Sequence, residues 1–451
     1  MKREKSLDVF STMSVPQAVI KNAIPAMVAM LMVLVYNLAD TFFIGQTHNA
    51  YQVAAVSLAV PVFLMFMAVG TIFGIGGTSV ISWAMGEGKT EYAKKVCSFC
   101  MWACVGVGII MSVLFLVFMD SILLLIRTSE DTWEYARSYL TIVSCSGVFV
   151  LISNCYSNIL RAEGQATKAM IGQITDNLLN IVLDLVLILG FRWNITGAAI
   201  ATVIGNVMAA GYYIAYFMRG KSSLSIRISD FSVKDKICSS VLVTGIPASL
   251  ASVLMSISQI IMNGLMARYG DMAIAGIGVA MKVTMITGMI AMGIGQGIQP
   301  LLGYCVGAKT WERYKKIMRF SMWFAFFLGL IMTVICYIFT NQIVSVFLTR
   351  QSAFDYAVQF ARILLSTSTL FGVFYVLTNA LQAMGAVVSS LIINLSRQGI
   401  IYIPALFLLK AVLGVNGLVW AQPVADILST GLAVGLYTIT FKKTSQTALA
   451  N

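Results

Sequence analysis

Charged residues are scarce in this 451-residue chain, and their scarcity decides its class. They make up 11% of the sequence, against 59% apolar residues, and the mean hydropathy is +0.87. Soluble domains average about 25% charged residues. The composition therefore excludes a protein whose whole surface faces water, and it indicates a membrane protein.

Histidine is almost absent, and no nucleotide-binding sequence is present. The single histidine, His48, is too isolated for a zinc peptidase or a haem protein, and we expect it on the surface in the first external turn. No GxxxxGK[ST] pattern occurs, so the chain carries no ATPase of its own. Eight cysteines are present, but Cys97, Cys100 and Cys104 share one helix face without a second ligand pair, so we interpret them as buried apolar residues.

Long apolar runs are abundant instead. Each run is long enough to cross about 30 Å of hydrocarbon as an α-helix. Six fall in each half of the chain, and we predict twelve transmembrane helices at about 18–44, 53–84, 96–119, 136–159, 168–191, 195–217, 239–266, 273–304, 318–339, 355–381, 386–409 and 414–440.

The second half of the chain repeats motifs of the first half. The run Asn158-Ile-Leu-Arg-Ala-Glu-Gly164 recurs as Asn379-Ala-Leu-Gln-Ala-Met-Gly385, about 221 residues later. An even number of spans in each repeat keeps the repeats parallel. We therefore predict an all-α polytopic membrane protein with two six-helix bundles related by a pseudo-two-fold axis along the membrane normal, with an N-terminal bundle at 1–217, a cytoplasmic linker at 218–238 and a C-terminal bundle at 239–451.

Lysine and arginine predict the orientation. About 21 of the 30 cations fall on one side of the predicted spans, and that side should be cytoplasmic. Both termini are then inside. The net charge of +12 is explained by a basic rim beside anionic membrane lipids, so no nucleic-acid partner is expected. The cations on this side are Lys2, Arg3, Lys5, Lys21, Lys89, Lys94, Lys95, Arg161, Lys168, Arg219, Lys221, Arg227, Lys234, Lys236, Lys309, Arg313, Lys315, Lys316, Arg319, Lys442 and Lys443.

Acids inside the predicted spans of the first half are candidates for binding a coupling ion. A charge at mid-membrane costs about 2.5–3.5 kcal/mol or more, so each one needs a reason. Asn37 and Asp40 lie one turn apart in the first span. The other candidates lie on one face of the fifth span, and they are Gln173, Asp176, Asn180 and Asp184. Burial favours the protonated form of a carboxyl group, and a second carboxyl group nearby favours it further.

Two readings of this polar set remain open. Asp40 and Asp184 can hold a proton, or their oxygens can bind Na⁺ together with those of Asn37 and Asn180, because Na⁺ prefers hard oxygen ligands. Asp176 lies nearer the cytoplasmic side and is a further candidate. Alternatively, the same side chains hold helices together through hydrogen bonds.

The second half carries different intramembrane charges. Lys282, Arg397 and Asp426 can form a charge network in which Arg397 and Asp426 neutralise each other, or they can take part in substrate or proton passage. The positions that repeat Asp40 carry Gln259 and Asn263 but no acid. The two halves therefore differ in chemistry.

Polar and methionine side chains mark a candidate substrate cleft. Methionine suits promiscuous apolar surfaces, although lipid-facing or packed filler also explains the stripe of Met281, Met285, Met289 and Met292. Pro25 removes one backbone hydrogen bond from the first span and is a candidate hinge. The cleft candidates are Tyr36, Gln173, Asn177, Gln259, Asn263, Met285, Met289 and Gln296.

These residues resemble a known family. Asn37-Leu-Ala-Asp40, the helix from Asn180 to Asp184, and the run Trp193-Asn-Ile-Thr-Gly197-Ala-Ala-Ile-Ala-Thr202 are similar to motifs of the MATE (multidrug and toxic compound extrusion) family. Arg161-Ala-Glu-Gly164 and Gly245-Ile-Pro247-Ala248 extend the similarity over nearly the whole chain. The pattern of acids resembles the bacterial branch with its ion site in the N-terminal bundle. Another branch places acids in the seventh and tenth spans, where this sequence has none.

The resemblance implies a secondary transporter of the bacterial cytoplasmic membrane. It implies efflux of amphipathic, often cationic compounds in exchange for H⁺ or Na⁺ by rocking of two bundles, with no other cofactor; we expect a monomer. Glu163 either recognises a cation or caps the loop of Arg161. A lipid-linked oligosaccharide flippase is an alternative, but it should need a more cationic cleft. An intramembrane aspartyl protease is a weaker one because its Gly-x-Gly-Asp pattern is absent, so no enzyme is expected.

Overall fold

A computed structural model describes residues 4–45, 50–126, 128–220, 222–348 and 351–450. His48 lies outside these ranges, as do Lys2, Arg3 and Lys221 of the predicted cytoplasmic rim. Within them the chain is mostly helical and contains no strand. High hydropathy and bilayer-length apolar runs account for this, because a helix satisfies all its backbone groups internally where water is absent.

In the described residues, nine α-helices precede the predicted linker. The longest are uninterrupted by Pro25 and Pro61, which lie inside helices. The nine helices are α1 (Glu4–Ser11), α2 (Val15–Gly45), α3 (Ala50–Gly86), α4 (Thr90–Val117), α5 (Met119–Leu125), α6 (Glu130–Cys145), α7 (Gly147–Ala162), α8 (Ala166–Asp184) and α9 (Asn194–Met218).

Nine further α-helices follow the linker in the part of the chain that the structure describes. They are α10 (Ile237–Met266), α11 (Asp271–Gly307), α12 (Trp311–Ile338), α13 (Thr340–Phe347), α14 (Gln351–Leu365), α15 (Ser368–Ala383), α16 (Val387–Leu395), α17 (Tyr402–Leu413) and α18 (Val415–Ala450). Two π-helical turns interrupt this regular structure. Leu185–Gly190 continues α8, and Ser396–Ile400 joins α16 to α17.

The described helices account for the predicted spans. Ten helical segments are long and apolar enough to cross a membrane. Two bent pairs also pass this test, α6 with α7 at 55° and α14 with α15 at 46°, which makes twelve spans if each pair counts once. The predicted fold class, an all-α polytopic membrane protein with twelve spans, is confirmed.

The chain folds into two compact units. Unit 1 contains Met1–Ser11 and Leu31–Gly245, and unit 2 contains Thr12–Met30 and Ile246–Asn451. The chain therefore passes from one unit to the other inside α2 and again inside α10. The linker predicted at residues 218–238 belongs to unit 1 as a whole. The division of the chain into bundles at this linker stays a prediction.

Glycines seat the first part of α2 in unit 2. A Cβ at Gly293 of α11 would lie 2.6 Å from the Cα of Met27, and one at Gly297 would lie 2.7 Å from the Cα of Ala23. Only glycine leaves room for backbones this close. The side chain of Pro25, between these contacts, is buried.

The corresponding part of α10 is seated in the same way in unit 1. A Cβ at Gly76 of α3 would collide with the backbone carbonyl of Val241, and one at Gly245 would collide with the carbonyl of Ile72. Each unit thus contains a helical segment whose own continuation belongs to the other unit.

The stretch between α9 and α10 lies along α4. Ser98 donates a hydrogen bond to the carbonyl of Arg227 at 2.6 Å, and the indole of Trp102 donates to the carbonyl of Ile226 at 3.2 Å. Phe231 stacks on Phe99 with ring centroids 6.1 Å apart. These contacts hold the stretch against α4, and its described part, residues 222–236, is called the strap below.

Candidate functional site

Asp184 lies at the junction between α8 and its π-helical turn. The carboxyl group is fully buried, and Asn180, one turn earlier on the same face, is 2% exposed. A π-turn adds one residue to a helical turn, and such turns are frequent at functional sites. Asp184 is therefore held at a break in the backbone pattern rather than in regular helix.

Asn180 joins Asp184 to the neighbouring helix α9. With its amide nitrogen toward the acid, Asn180 donates to Oδ2 of Asp184 at 2.8 Å. Its amide oxygen then faces the hydroxyl and the backbone nitrogen of Thr202, both at 3.3 Å. Thr202 also donates to the carbonyl of Ala198 at 3.0 Å, which fixes its rotamer.

The second oxygen of Asp184 has no such partner. Its Oδ1 is buried and makes no hydrogen bond with any described residue. A buried acceptor left in this state costs about 1–3 kcal/mol, and more when it is charged. This oxygen is the natural point at which a proton or a cation would bind.

Asp40 and two tyrosines complete the cluster in unit 1. Asp40 of α2 is close enough to Asp184 for electrostatic interaction. Tyr36 lies close to Thr202, and both Tyr36 and Tyr139 of α6 lie within electrostatic range of the two acids. The predicted ion-coupling residues Asp40, Asn180 and Asp184 are thus brought together with Tyr36, which was predicted for the substrate cleft, whereas Asn37 is exposed.

Two members of this cluster were not predicted as site residues. Thr202 could have been found, because it ends the run from Trp193 that carries the family resemblance. Tyr139 carries no such signal, because it is one of several aromatic residues in an amphipathic helix. It enters the cluster because α6 packs against α9, and its phenol lies within electrostatic range of both acids.

Asp176 lies two turns toward the predicted cytoplasmic side, in a space kept open by glycine. A Cβ at Gly205 of α9 would lie 2.5 Å from Oδ1 of Asp176. The phenol of Tyr213 is within electrostatic range of this carboxylate. The structure thus places Asp176 between α8 and α9, apart from the contacts of Asp184.

Arg161 lies in the last turn of α7 and is almost completely buried. Its guanidinium donates to Oδ1 of Asn158 at 2.8 Å and to Oε1 of Gln173 at 2.9 Å. Asn177 donates to the backbone carbonyl of Gln173 at 2.9 Å. The polar groups of Gln173 and Asn177, both predicted for a substrate cleft, are therefore engaged inside unit 1.

Glu163 fastens the strap after α9 to the end of α7. Its Oε1 accepts hydrogen bonds from the Ser222 hydroxyl at 2.7 Å and from the Ser223 backbone at 2.5 Å, and its Oε2 accepts one from Tyr216 at 3.3 Å. Burial raises the pKa of the Glu163 carboxyl group above its ordinary value, although these hydrogen bonds oppose the rise. The two predicted roles of Glu163, cation recognition and capping of the Arg161 loop, stay predictions.

In unit 2, Arg397 and Asp426 form an ion pair. The Nε of Arg397 donates to Oδ1 of Asp426 at 2.8 Å, and Gln422 and Thr367 donate to the same carboxylate at 2.9 and 3.2 Å. The guanidinium also lies over the rings of Phe371 and Phe374, 4.8 Å from each centroid. Arg397 itself lies in the second π-helical turn.

The remaining predicted residues of unit 2 are spread over α10 and α11. The Lys282 ammonium lies over the ring of Phe347 at 5.2 Å. Gln259 donates to the sulfur of Met281 at 3.0 Å. Among the other cleft candidates, Asn263 is exposed, Met285 and Met289 are half-buried and Gln296 is buried. Their role in a cleft stays a prediction.

The oxygen atoms around Asp184 fit a proton or Na⁺ better than a transition metal. No group of three or more His, Cys, Asp or Glu side chains in the described ranges is arranged to hold a metal ion. The carboxylates of Asp40 and Asp184 offer hard oxygen ligands, which suit an alkali cation, whereas the Asn180 amide turns its nitrogen toward Asp184 and its oxygen toward Thr202. The unpartnered Oδ1 of Asp184 fits either ion.

Known proteins are similar to this chain over most of its length. A family model described as MatE matches residues 25–186 and 247–408, once in each half. The chain is 30% identical over 430 residues to the multidrug export protein MepA of Staphylococcus aureus strain NCTC 8325, covering 94% of each chain. It is 29% identical to MepA of Staphylococcus haemolyticus, covering 96% of this chain and 95% of the relative.

Solved structures with the same fold are also similar. The outward-facing structure of a multidrug resistance MATE family transporter superposes with a TM-score of 0.93 at 22% identity, covering 98% of this chain and 99% of that one. A transporter of the MOP superfamily from Pyrococcus furiosus gives a TM-score of 0.89 at 23% identity, covering 97% and 98%. At these identities the superpositions establish the fold.

Proposed function

The chain belongs to the MATE family of transporters, and from this membership we propose that it exports amphipathic, often cationic compounds in exchange for H⁺ or Na⁺. The family assignment rests on the paired match of 25–186 and 247–408. Family members are transporters, so the expectation that the chain is not an enzyme is confirmed. We further propose that the protein lies in a bacterial cytoplasmic membrane with both termini inside and works as a monomer.

One observation supports ion coupling at Asp184 above all others. Its carboxyl group is fully buried, one oxygen is held by Asn180, and the other makes no hydrogen bond in the described part of the chain. A carboxylate in this setting is costly until a proton or a cation reaches it. Asp40, within electrostatic range, makes the uncompensated state costlier still.

In the proposed cycle, the cost of burying the Asp184 carboxylate couples ion uptake to the change of conformation. Facing outward, Asp40 and Asp184 take up H⁺ or Na⁺, and the loss of negative charge changes the packing of α2, with Pro25 as the point of bending. The compound then leaves outward and the empty transporter returns. One charge that crosses 100 mV supplies about 2.3 kcal/mol, enough for about a fifty-fold gradient of a neutral compound.

Inside-out vesicles provide the test. Uptake of a cationic dye should follow an imposed pH gradient or an imposed Na⁺ gradient in the intact chain, and Asp184→Asn should abolish it. Asp271→Asn is the matched control, because Asp271 is exposed at the start of α11, away from the cluster. Equal uptake by wild type and Asp184→Asn would contradict the assignment of the site.

The oligosaccharide flippase remains an outcome of the same experiment. A pyrophosphate carrier needs available cations, and Arg397, one of the two intramembrane cations expected to serve it, is engaged with Asp426. Dye that fails to move with either gradient, together with scrambling of a lipid-linked sugar in the same vesicles, would replace the antiport proposal by the flippase.

A further inference from the structure

A cavity of about 510 Å³ opens at one end of unit 2, between α13, α14 and α18. Both charges of its lining, Asp355 and Arg362, come from α14, and amide and aromatic side chains complete it. It is separate from the Arg397–Asp426 pair. All its lining residues belong to unit 2.

The cavity lies at the boundary of the spans. Asp355 is close to the start of the bent span that begins at Ala353, and Asn416 is the second residue of α18, which begins the last span. Arg362 lies two helical turns beyond Asp355 on the same face of α14, about 10 Å deeper along the helix axis. Negative charge is therefore placed at the surface and positive charge below it.

Arg362 has no acid partner in this position. Its exposed guanidinium stacks on the ring of Tyr337 at 5.5 Å. Among the described residues, no carboxylate lies within ion-pair distance of Arg362, and its guanidinium donates no hydrogen bond. Arginine inside a span is costly unless water or an anion meets it. Arg397, by contrast, carries its counter-charge within the fold.

The remaining lining suits a small polar group next to an apolar chain. Gln359 donates to the side-chain oxygen of Asn416 at 3.2 Å, and both amides line the cavity between the two charges. Trp420, which is 38% exposed, lies beside them. Tryptophan at this depth is typical of the membrane interface, where one end of the ring meets head groups and the other meets hydrocarbon.

From this arrangement we propose that the cavity binds a phosphoethanolamine group, with the phosphate on Arg362 and the ammonium on Asp355. A guanidinium binds phosphate through two parallel charge-assisted hydrogen bonds. In a bilayer the phosphate of such a head group lies deeper than its ammonium, which is the order in which Arg362 and Asp355 are placed. The group belongs either to phosphatidylethanolamine of the membrane or to a soluble compound that carries it. For the lipid, the distribution of lysine and arginine predicts that this end of unit 2 meets the outer leaflet.

Lipid retention measured by native mass spectrometry tests the proposal. The purified full-length chain is incubated in detergent with phosphatidylethanolamine, with phosphatidylglycerol, or with soluble glycerophosphoethanolamine as a competitor. Arg362→Gln should retain about tenfold less phosphatidylethanolamine, as expected for the loss of a charge-assisted hydrogen bond. Asp355→Asn should lower the retention of phosphatidylethanolamine and leave the retention of phosphatidylglycerol unchanged.

Arg268→Gln and Asp271→Asn are matched controls, since both residues are exposed beside the neighbouring end of α10 and α11, and neither should alter retention. Arg362→Lys, which keeps the charge but loses the forked geometry, should give an intermediate loss and covers the case in which Arg362→Gln fails to fold. Competition by glycerophosphoethanolamine at the concentration of the lipid would make a soluble compound the ligand. The proposal would be overturned if Arg362→Gln retained as much phosphatidylethanolamine as wild type. It would also be overturned if Asp355→Asn retained each of the two lipids as well as wild type does.

Discussion

Arg397 shows what a buried charge requires inside unit 2. Its guanidinium meets the carboxylate of Asp426 on one side and the faces of Phe371 and Phe374 on the other. Such a pair adds little net stability over apolar residues of the same size, but removal of one partner leaves the other charge buried and uncompensated. The interaction is thus better evidence for mutual dependence than for stability.

Substitutions of the pair should therefore be strongly non-additive. Arg397→Met alone and Asp426→Leu alone should each lower the free energy of unfolding by about 3–5 kcal/mol, whereas the double variant should recover most of that loss. Unfolding in detergent, followed by tryptophan fluorescence, measures the three values.

Lys282→Met provides the comparison, because the Lys282 ammonium lies over Phe347. Its effect should add to that of Asp426→Leu if Lys282 stands outside the pair. A non-additive result would place all three charges in one network, and additive effects of Arg397→Met and Asp426→Leu would contradict the pairing.

The strap between α9 and α10 is an ordered element rather than a loose connection. Hydrogen bonds to the carbonyls of Ile226 and Arg227 hold its middle on α4, and Glu163 holds its beginning on the end of α7. One carboxyl group thus receives the Ser222 hydroxyl and the Ser223 backbone together. The first turn of the strap depends on the state of that group.

The stability of this element should depend on pH through Glu163. Burial raises the pKa of its carboxyl group above the ordinary value of 4.5, so the folded chain binds the proton more tightly than the unfolded chain. The contribution of Glu163 to stability is then largest below pH 4.5 and is lost as the pH rises through the raised pKa.

Glu163→Gln imitates the protonated side chain and should remove this pH dependence. The difference in unfolding midpoint between Glu163→Gln and wild type, measured in steps from pH 4 upward, should grow with pH and then level off. Glu87→Gln, on an exposed acid beside Lys89, should show no such trend. A constant difference across the range would mean that burial does not govern the Glu163 proton.

At the scale of the molecule, each unit incorporates a segment whose chain continues into the other. Thr12–Met30 belongs to unit 2 and is followed by unit 1, and Ile246 opens the rest of unit 2 after α10 has begun in unit 1. Backbone contacts at glycine hold both segments. The integrity of the units should therefore depend on single hydrogen atoms at these glycines.

Gly245→Ala should destabilise the protein far more than Gly264→Ala, although both glycines lie in α10. A Cβ at Gly245 would collide with the carbonyl of Ile72, whereas one at Gly264 would have nothing within 4 Å. Overpacking of this kind costs about 1–3 kcal/mol, and an unobstructed Gly→Ala change in a helix gains about 0.5–1 kcal/mol. Thermal unfolding midpoints in detergent compare the two, and similar midpoints would argue against the close contact with α3.

The spans and the class of protein follow from the sequence because the bilayer imposes them. Hydrocarbon thickness sets the length of each apolar run, and the cost of an intramembrane charge draws notice to Asp40, Asp184, Arg397 and Asp426 before any contact is known. Two of these, Arg397 and Asp426, lie 2.8 Å apart.

The finer partners do not follow from the sequence. Tyr139 joins the acids only through the packing of α6, and the hydrogen bonds of Glu163 reach about sixty residues ahead to Ser222 and Ser223. The placement of 12–30 in unit 2 depends on glycine contacts between segments far apart in the chain. Periodicity reports which face of a helix is apolar, but it does not report which helix that face will meet.

The first part of α2 also imposes an order on biosynthesis. Residues 12–30 leave the ribosome well before α11, which supplies Gly293 and Gly297 to seat them and ends only at Gly307. At about 5–20 residues per second, translation takes tens of seconds to reach that point. Throughout that interval the nascent helix must wait in the membrane with its future contact surface covered by lipid or by the insertion machinery, so unit 2 closes only near the end of synthesis.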